Sequence, residues 1–329
     1  MTQIPIPPRY VRVAVTQFEP IWLDLSVCEW SKTGLIPRML DSRISIMDMV
    51  AIPPVLDFKF SLMMDKYSRT LSVDFDLSIV YIKDSLRIDS PETGYIYTAA
   101  KEGNVAVVLG FSENWNHSLY ISQAIIDHEG IIKLKRRKLK ATHMERTVFG
   151  EASGSSLTNV VELAGIGRVG TLACLEHALP LLKYHSYCQR KSIHVSQWPP
   201  IWEYSGGPDL WYMSRDGSRT LSQAYAIESQ SFVLHTTAVL SQDGIDRMNT
   251  SNGLVMNMPG GGTSAIFGPD GRKLSEDLPD TVEGFLYADL DLDEILKSRS
   301  FLNVCGHYSR PDLLTISVND MERVLANSA

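Results

Sequence analysis

The chain has 329 residues, which suffices for one large domain or two small ones. Hydrophobic residues make up 44% and charged residues 21% of it, which excludes a disordered chain and a collagen-like or disulfide-dense scaffold. The net charge of −7 gives no basic footprint for nucleic acid, and no apolar run approaches the roughly 20 residues of a membrane helix.

The amino terminus and the cysteines bear on where the protein works. Residues 1–9 contain no basic stretch followed by an apolar stretch, so we predict no secretory signal and a cytoplasmic protein. The four cysteines, Cys28, Cys174, Cys188 and Cys305, lie far apart and form no C-x-x-C pair. Neither a zinc site nor a disulfide framework is therefore predicted. The eight histidines form no H-x-x-x-H pair, and we expect no metal.

Strand-like and helix-like patterns alternate along the chain. Period-two alternation or short apolar runs predict strands at 11–15, 104–111, 118–127, 169–173, 192–197, 231–239, 265–268 and 284–290. Helical spacing predicts helices at 179–187, 219–229 and 291–299. Because no repeat and no linker interrupts this alternation, we predict a single α/β domain over residues 1–329. Residues 28–71 are the exception, since Pro37, Pro53 and Pro54 interrupt weak patterns there.

Cys174 stands where the apolar run 169–173 gives way to a helical pattern. At a helix N-terminus, backbone N–H groups and the helix dipole favour the thiolate, which is the nucleophilic form of cysteine. A small buried apolar cysteine is the commoner alternative.

Residues 135–140 carry five cations in six positions. Such a run is usually a solvated face, and charge counting favours that interpretation here. The alternative is that one lysine turns inward, where it would stabilise a developing anion. Glu145 and Glu151 follow closely and are candidates for salt bridges.

Two further segments give weaker signals. The glycine run at 259–264 lacks the spacing of a phosphate loop and is interpreted as a tight connection. His194 and Trp198 flank a strand end, where pocket residues and core residues are equally common.

Several segments resemble, in order, the motifs of the nitrilases, in the carbon-nitrogen hydrolase superfamily. The resemblance covers residues 10–26 and 72–315, and within the family it points to the fungal arylacetonitrilases. The segments that carry it are 81–92 (YIKDSLRIDSPE), 136–151, 173–184, 194–199, 260–272 and 306–312.

This resemblance implies a four-layer α-β-β-α sandwich formed by a carbon-nitrogen hydrolase core at 10–315, with a tail at 316–329. It also implies a homo-oligomer and no cofactor. Carried over by motif, Cys174 is the nucleophile, Lys138 the triad lysine and Glu145 a supporting glutamate.

The implied substrate contacts are Leu175, His177 and Trp198. Leu175 departs from the tryptophan that usually follows the cysteine, which bears on substrate fit.

The implied reaction is hydrolysis of an arylaliphatic nitrile to a carboxylic acid and ammonia. Cys174 would add to the nitrile carbon to give a thioimidate, and Lys138 and the Leu175 N–H would stabilise the developing charge. Water addition, loss of ammonia and thioester hydrolysis follow, each with proton transfer by a carboxylate. Hydration to the amide or amide hydrolysis is an alternative, as is a non-catalytic subunit of a family oligomer.

The family's general base lies in a motif of the form L-V-x-F-P-E-C-W, which this sequence lacks. The nearest look-alike is the run 49–54 (MVAIPP), with Pro54 where the glutamate would stand. Proline cannot move a proton. We therefore predict that the chain with this sequence folds poorly around residues 28–71, lacks a core helix and strand, and is nearly inactive.

The genetic code suggests how the motif was lost. Reading residues 28–49 in a frame shifted by one nucleotide permits A-N-G-A-K-L-V-S-F-P-E-C-W-I-P-G-Y-P, with Arg38 read as the glutamate. The codons of Trp30, Met39, Met47 and Met49 then force glycine, cysteine, tryptophan and tryptophan. We infer an out-of-frame segment, followed over residues 50–71 by an insertion that restores the frame.

Overall fold

The computed structural model describes residues 10–20, 49–55, 75–206, 210–253 and 256–322. Strands and helices alternate within these ranges, as the sequence patterns predict. The strands are β1 (Tyr10–Gln17), β2 (Met49–Val55), β3 (Ala106–Trp115), β4 (Ser118–Ile126), β5 (Ile132–Arg137), β6 (Val160–Leu163), β7 (Gly167–Ala173), β8 (Ile193–Trp198), β9 (Phe232–Thr237), β10 (Ala265–Phe267) and β11 (Gly284–Asp291).

The helices begin at local start signals. Ser90 and Ser214 each accept a hydrogen bond from the first turn of the helix that follows, and Pro180 opens a third helix. No helix of the described ranges combines the length and the apolar character that a bilayer crossing requires. The helices are α1 (Phe75–Lys83), α2 (Pro91–Glu102), α3 (Pro180–Cys188), α4 (Arg215–Ser229), α5 (Gln242–Met248) and α6 (Asp293–Phe301).

The described strands form two sheets that face each other. One has the order β11-β1-β2-β3-β4-β5 and the other the order β10-β9-β8-β7-β6. Apolar side chains from both inner faces fill the space between them, including Val15, Val108, Ile125, Val195 and Leu234. Burial of this apolar surface is the main stabilising contribution of the sandwich.

Helices cover the two outer faces. Ile96 and Ala100 of α2 pack on the first sheet. Leu182 of α3 and Tyr225 and Ala226 of α4 pack on the second. The layers are therefore helix, sheet, sheet, helix, which confirms the four-layer α-β-β-α sandwich predicted from the resemblance.

Residues 49–55 differ from the sequence-based expectation. They form β2, which runs parallel to both β1 and β3, with a register shift between Ile52 and Pro54. The expected loss of a core strand is therefore wrong here, because ladders on both sides hold the segment despite its prolines. The inferred out-of-frame segment 28–49 lies outside the described residues except for Met49, and so does the rest of the inferred insertion, 56–71. The helix expected to be missing falls on the same undescribed residues.

The glycine run at 259–264 forms a tight connection, as predicted. Gly260 and Gly261 have φ angles of +124° and +89°, a region that favours glycine. A Cβ atom on Gly261 would lie 2.5 Å from the Cβ atom of Pro200. The run therefore packs against the segment that leaves β8.

Candidate active site

Cys174 directly follows β7 and opens a short 3-10 helix, Cys174–Ala178. Its φ angle is +49°, in the left-handed region that side-chain-bearing residues rarely adopt. Such strain persists only where the surroundings impose it, and it is common at functional sites. The side chain is buried, with 9% of the residue exposed.

Two side chains of the same 3-10 helix hold this turn. The Glu176 Oε2 atom accepts a hydrogen bond of 2.9 Å from the Ala173 N–H. The His177 Nδ1 atom lies 2.7 Å from the Cys174 carbonyl oxygen. The cysteine is therefore fixed on both sides by its own chain neighbours.

Lys138 directly follows β5 on the facing sheet, and its N–H donates to the Ile121 carbonyl over 2.7 Å. Inward positions alternate along this strand, so Leu134, Arg136 and Lys138 are all buried. The Lys138 ammonium donates to Glu145 Oε2 over 2.6 Å and to Thr142 Oγ1 over 3.0 Å.

Glu145 lies in a second short 3-10 helix, His143–Thr147. Its Oε2 atom also accepts a hydrogen bond of 2.5 Å from the Thr142 N–H. One carboxylate oxygen thus fixes both the lysine head group and the start of the helix that carries the carboxylate. The structure brings Lys138 and Glu145 together, as the motifs predict.

A buried ion pair ties the lysine strand to the cysteine strand. Both terminal nitrogens of Arg136 donate to Glu176, over 2.7 and 2.8 Å. The same carboxylate accepts the Leu139 N–H over 2.9 Å and the Ala173 N–H. Sequence analysis missed this clamp, although the period of two in the basic run is a signal that places residues 136 and 138 on one face.

The solvated-face interpretation of residues 135–140 is wrong for Arg136 and Lys138. The outward members of the run are paired as well. Lys135 and Arg137 contact Glu113, and Lys140 contacts Glu151 at the surface. A basic run on a strand can therefore supply both a buried cation and a charged face.

The charges at the site follow from burial and from these pairs. Burial raises the pKa of the Cys174 thiol to about 11, although Lys138 and the Leu175 N–H lower it. Burial also disfavours the Lys138 ammonium, but Cys174 and Glu145 outweigh it, and the pKa of Lys138 is raised. Burial and the Lys138 ammonium thus act on the thiol in opposite directions, and the activation of Cys174 stays a prediction.

Two of the predicted substrate contacts lie against the cysteine. Cys174, Trp198 and Ile201 form an apolar cluster, with Leu175 partly buried at its edge. The Trp198 indole N–H donates to Ser196 Oγ over 2.7 Å, which fixes the ring. The cluster gives the site an apolar wall; the contact of Leu175 and Trp198 with substrate stays a prediction.

His177 is buried beneath the cysteine, and both of its ring nitrogens have protein partners. Because a carbonyl only accepts, Nδ1 donates to Cys174 and Nε2 of the neutral ring accepts from His194 Nε2 over 2.9 Å. Burial lowers the pKa of His177 to about 4, which keeps the ring neutral. His177 therefore supports the cysteine turn, and its predicted contact with substrate stays a prediction.

Within the described part of the chain, no group of His, Cys, Asp and Glu side chains is arranged to hold a metal ion.

Known proteins resemble this chain in sequence and in fold. The sequence profile of the carbon-nitrogen hydrolase family matches residues 12–299. An arylacetonitrilase of Aspergillus oryzae is 52% identical over 318 residues, covering 96% of this chain and 93% of that protein. An arylacetonitrilase of Aspergillus kawachii is 51% identical over 308 residues, covering 94% of this chain and 92% of that protein. A carbon-nitrogen hydrolase of Helicobacter pylori superposes with a TM-score of 0.68 at 15% identity, over 94% of this chain and 99% of that chain, which shows the fold alone.

Proposed function

The chain belongs to the carbon-nitrogen hydrolase family, and from that premise we propose that its site hydrolyses an arylaliphatic nitrile to a carboxylic acid and ammonia. The observation that carries the proposal is Cys174, held in a strained turn at the end of β7 and under the influence of the Lys138 ammonium. The arylacetonitrilase relatives support the substrate class.

The buried side chains suit the first chemical step. The thiolate of Cys174 adds to the nitrile carbon and forms a thioimidate, and negative charge develops on the nitrogen. Lys138 stabilises that charge from a buried position, where an ammonium acts more strongly than in water. Its pairing with Glu145 fixes the direction from which it does so.

The later steps need proton transfers. Water adds to the thioimidate, ammonia leaves, and a second water hydrolyses the thioester. A carboxylate must take and return protons at these steps, and it must also take the proton of a thiol whose pKa is about 11. The sequence lacks the family's glutamate motif, so we propose that the reaction of this chain is slow at each of these steps.

The setting of the enzyme is part of the proposal. The reaction as written needs neither a metal nor an organic cofactor. We propose that the enzyme binds the small nitrile, works in the cytoplasm and, on the resemblance to the family, forms a homo-oligomer.

The experiment compares the present chain with a frame-restored chain that carries A-N-G-A-K-L-V-S-F-P-E-C-W in place of the shifted residues. Each is incubated with phenylacetonitrile, and the acid, the amide and ammonia are quantified by chromatography. We expect acid and ammonia from the restored chain, almost none from the present chain, and none from either after Cys174→Ala. A restored chain that turns over no arylaliphatic nitrile would overturn the proposed substrate class. Turnover by the present chain that Cys174→Ala abolishes would overturn the need for the missing base.

A non-catalytic subunit is the second candidate, and the absent glutamate motif is the observation that favours it. Such a subunit would join oligomers of an active relative. Co-expression with a frame-restored copy, followed by affinity purification through a tag on the present chain, tests this. Recovery of active mixed oligomers supports the candidate, and separate homo-oligomers contradict it.

A further inference from the structure

Two cysteines outside the proposed active site lie against each other. Cys188 is the last residue of α3 and is exposed, whereas Cys305 is half-buried in the segment that follows α6. Their sulfur atoms are 3.7 Å apart, and both are free thiols. The distance is a van der Waals contact, so a disulfide of roughly 2.05 Å needs only a small approach. Their separation of 117 residues in sequence hides this pair from motif analysis.

Two side chains hold the backbone of the segment that carries Cys305. Arg190 follows α3 and donates from its terminal nitrogen to the Cys305 carbonyl over 2.7 Å. The Val304 N–H donates to Gln230 Oε1, at the end of α4, over 3.4 Å. The segment that carries Cys305 is thus held to the ends of two helices, and the two sulfur atoms meet because of it.

Basic side chains lie near Cys305. Burial and the neighbouring Cys188 keep the pKa of Cys305 raised, at about 12, although the Arg190 guanidinium favours its thiolate. Arg299 also interacts with Cys305. Because Cys188 is the exposed partner, it meets a dissolved oxidant first.

We propose that Cys188 and Cys305 form a redox-modification site that hydrogen peroxide closes to an intramolecular disulfide. The Cys188 sulfur attacks one peroxide oxygen, the O–O bond breaks, and Cys188 becomes a sulfenic acid as one water leaves. The Cys305 sulfur then attacks the Cys188 sulfur, the S–O bond breaks, and the hydroxyl leaves as a second water with the proton of Cys305. Two thiols are oxidised and one peroxide is reduced to two waters.

The disulfide would hold the start of the segment 305–322 against the end of α3. The far end of that segment is already held, since the Gly154 N–H donates to the Met321 carbonyl over 3.1 Å and Ser155 contacts Glu322. Gly154 and Ser155 belong to the short 3-10 helix Gly154–Leu157, whose Ser156 carbonyl accepts from Arg136 over 3.1 Å. With both ends held, oxidation is expected to slow proteolytic cleavage of the segment between them.

In the test, the purified protein is treated with hydrogen peroxide and its peptides are mapped without reduction. Cys174→Ser serves as the background, so that oxidation of the buried cysteine does not confuse the result. We expect a cross-linked peptide pair containing Cys188 and Cys305, reversed by dithiothreitol and absent after either Cys188→Ser or Cys305→Ser.

Two further measurements distinguish the Cys188–Cys305 disulfide from oxidation of either cysteine alone. Closure of so long a loop is expected to raise the apparent unfolding temperature by about 5 °C, and neither serine variant should show the rise. Chymotrypsin should cut after the exposed Tyr308, in the segment between Cys305 and Met321, several-fold more slowly after oxidation. Oxidation of Cys188 to a sulfinic acid with Cys305 left as a thiol, or disulfides between molecules, would overturn the proposal. Failure of nitrile hydrolysis in every chain would leave this test unaffected.

Discussion

Strands β7 and β2 occupy comparable places, one inside each sheet, and yet they are built differently. β7 lies between β6 and β8 and pairs with β8 without a register shift. β2 lies between β1 and β3, contains Pro53 and Pro54, and shifts register next to them. β7 is followed at once by Cys174, whereas the segment after β2 lies outside the described residues.

The difference separates what the fold needs from what the chemistry needs. Proline donates no hydrogen bond and is rare inside a sheet. β2 nevertheless completes the first sheet, because the ladders of β1 and β3 hold it from both sides. The chemistry is less tolerant, because a proton transfer depends on one carboxylate at one position. The Cys174 turn is therefore held by Glu176 and His177, whereas β2 keeps its position in the sheet with Pro54 where the motif has its glutamate.

The largest expected effect comes from changing β2. Pro54→Glu puts a carboxylate at the position that the look-alike motif assigns to the base, in a strand residue paired with Gly110 of β3. General acid–base catalysis contributes roughly 10²–10⁴-fold, so we expect phenylacetonitrile hydrolysis to rise by a factor in that range. The assay measures ammonia release for this variant, for the present chain and for the frame-restored chain.

Pro54→Gln is the matched control, since it also removes the proline but supplies no base. Equal activity of the glutamate and glutamine variants contradicts the assignment of residue 54. If only the frame-restored chain is active, the base belongs to the segment encoded by the shifted residues.

The sequence predicted the β7 side of the molecule well. The run 169–173, the cysteine after it and the long motifs around Lys138 and Glu145 sufficed to predict the strand and the lysine–glutamate contact. Regular alternation and unbroken apolar runs are signals that a single sequence carries. Helix α4 was predicted from residue 219 but begins at Arg215, because the cap at Ser214 lies outside the amphipathic pattern.

The sequence could not supply the rest, for physical reasons. β2 carries no periodic pattern, and its strand conformation depends on hydrogen bonds to two distant segments. The Arg136–Glu176 clamp joins residues 40 apart, and the raised pKa of Cys174 depends on burial by the whole fold. Pairings and burial of this kind are properties of the assembled sandwich.

The second prediction breaks the support on the β7 side. Glu176→Gln leaves Arg136 fully buried without a carboxylate, and losing one partner of a buried pair costs about 3–5 kcal/mol. We expect the free energy of unfolding, measured with denaturant, to fall by that amount. Glu151→Gln removes the carboxylate of the surface pair with Lys140 and should change it by less than about 1 kcal/mol. If both variants lose similar amounts of unfolding free energy, the buried Arg136–Glu176 pair stabilises the fold no more than the surface pair does.

The third prediction concerns how the buried His177 ring makes the stability of the protein depend on pH. The pKa of His177 is lowered from 6.5 to about 4, so below pH 6.5 the unfolded chain binds a proton that the folded chain does not. The stability due to the neutral ring is complete above pH 6.5 and is lost as the pH falls towards 4, by up to about 3 kcal/mol.

His177→Asn keeps an N–H donor but removes this titration, so the fall in stability between pH 7 and pH 4 should be smaller by about that amount. Chemical denaturation at each pH provides the measurement. His307→Asn changes an exposed histidine and is the control. An unchanged pH dependence in His177→Asn would contradict the lowered pKa of His177 and its contribution to stability.

The smallest expected effect is on the ionisation of the Cys174 thiol, which the Lys138 ammonium favours. The Lys138 ammonium lowers the pKa of Cys174, which burial holds at about 11. Lys138→Met removes that charge and leaves the burial and the carboxylates of Glu145 and Glu176, so the pKa must rise further. An opposite charge at such a distance shifts a pKa by about one unit or more. Alkylation of Cys174 by iodoacetamide at pH 9 should then slow about tenfold. Because Cys188 reacts as well, peptide mass spectrometry is used to measure the modification of Cys174 separately.

Lys140→Met provides the matched control, because Lys140 is two residues away and exposed, with its carboxylate partner at the surface. Circular dichroism establishes that both variants fold, so that a slower reaction at Cys174 reports its ionisation. If Lys138→Met and Lys140→Met alkylate at the same rate, the buried ammonium does not act on the thiol. The β7 side would then lack the electrostatic support that distinguishes it from β2, and burial alone would set the reactivity of Cys174.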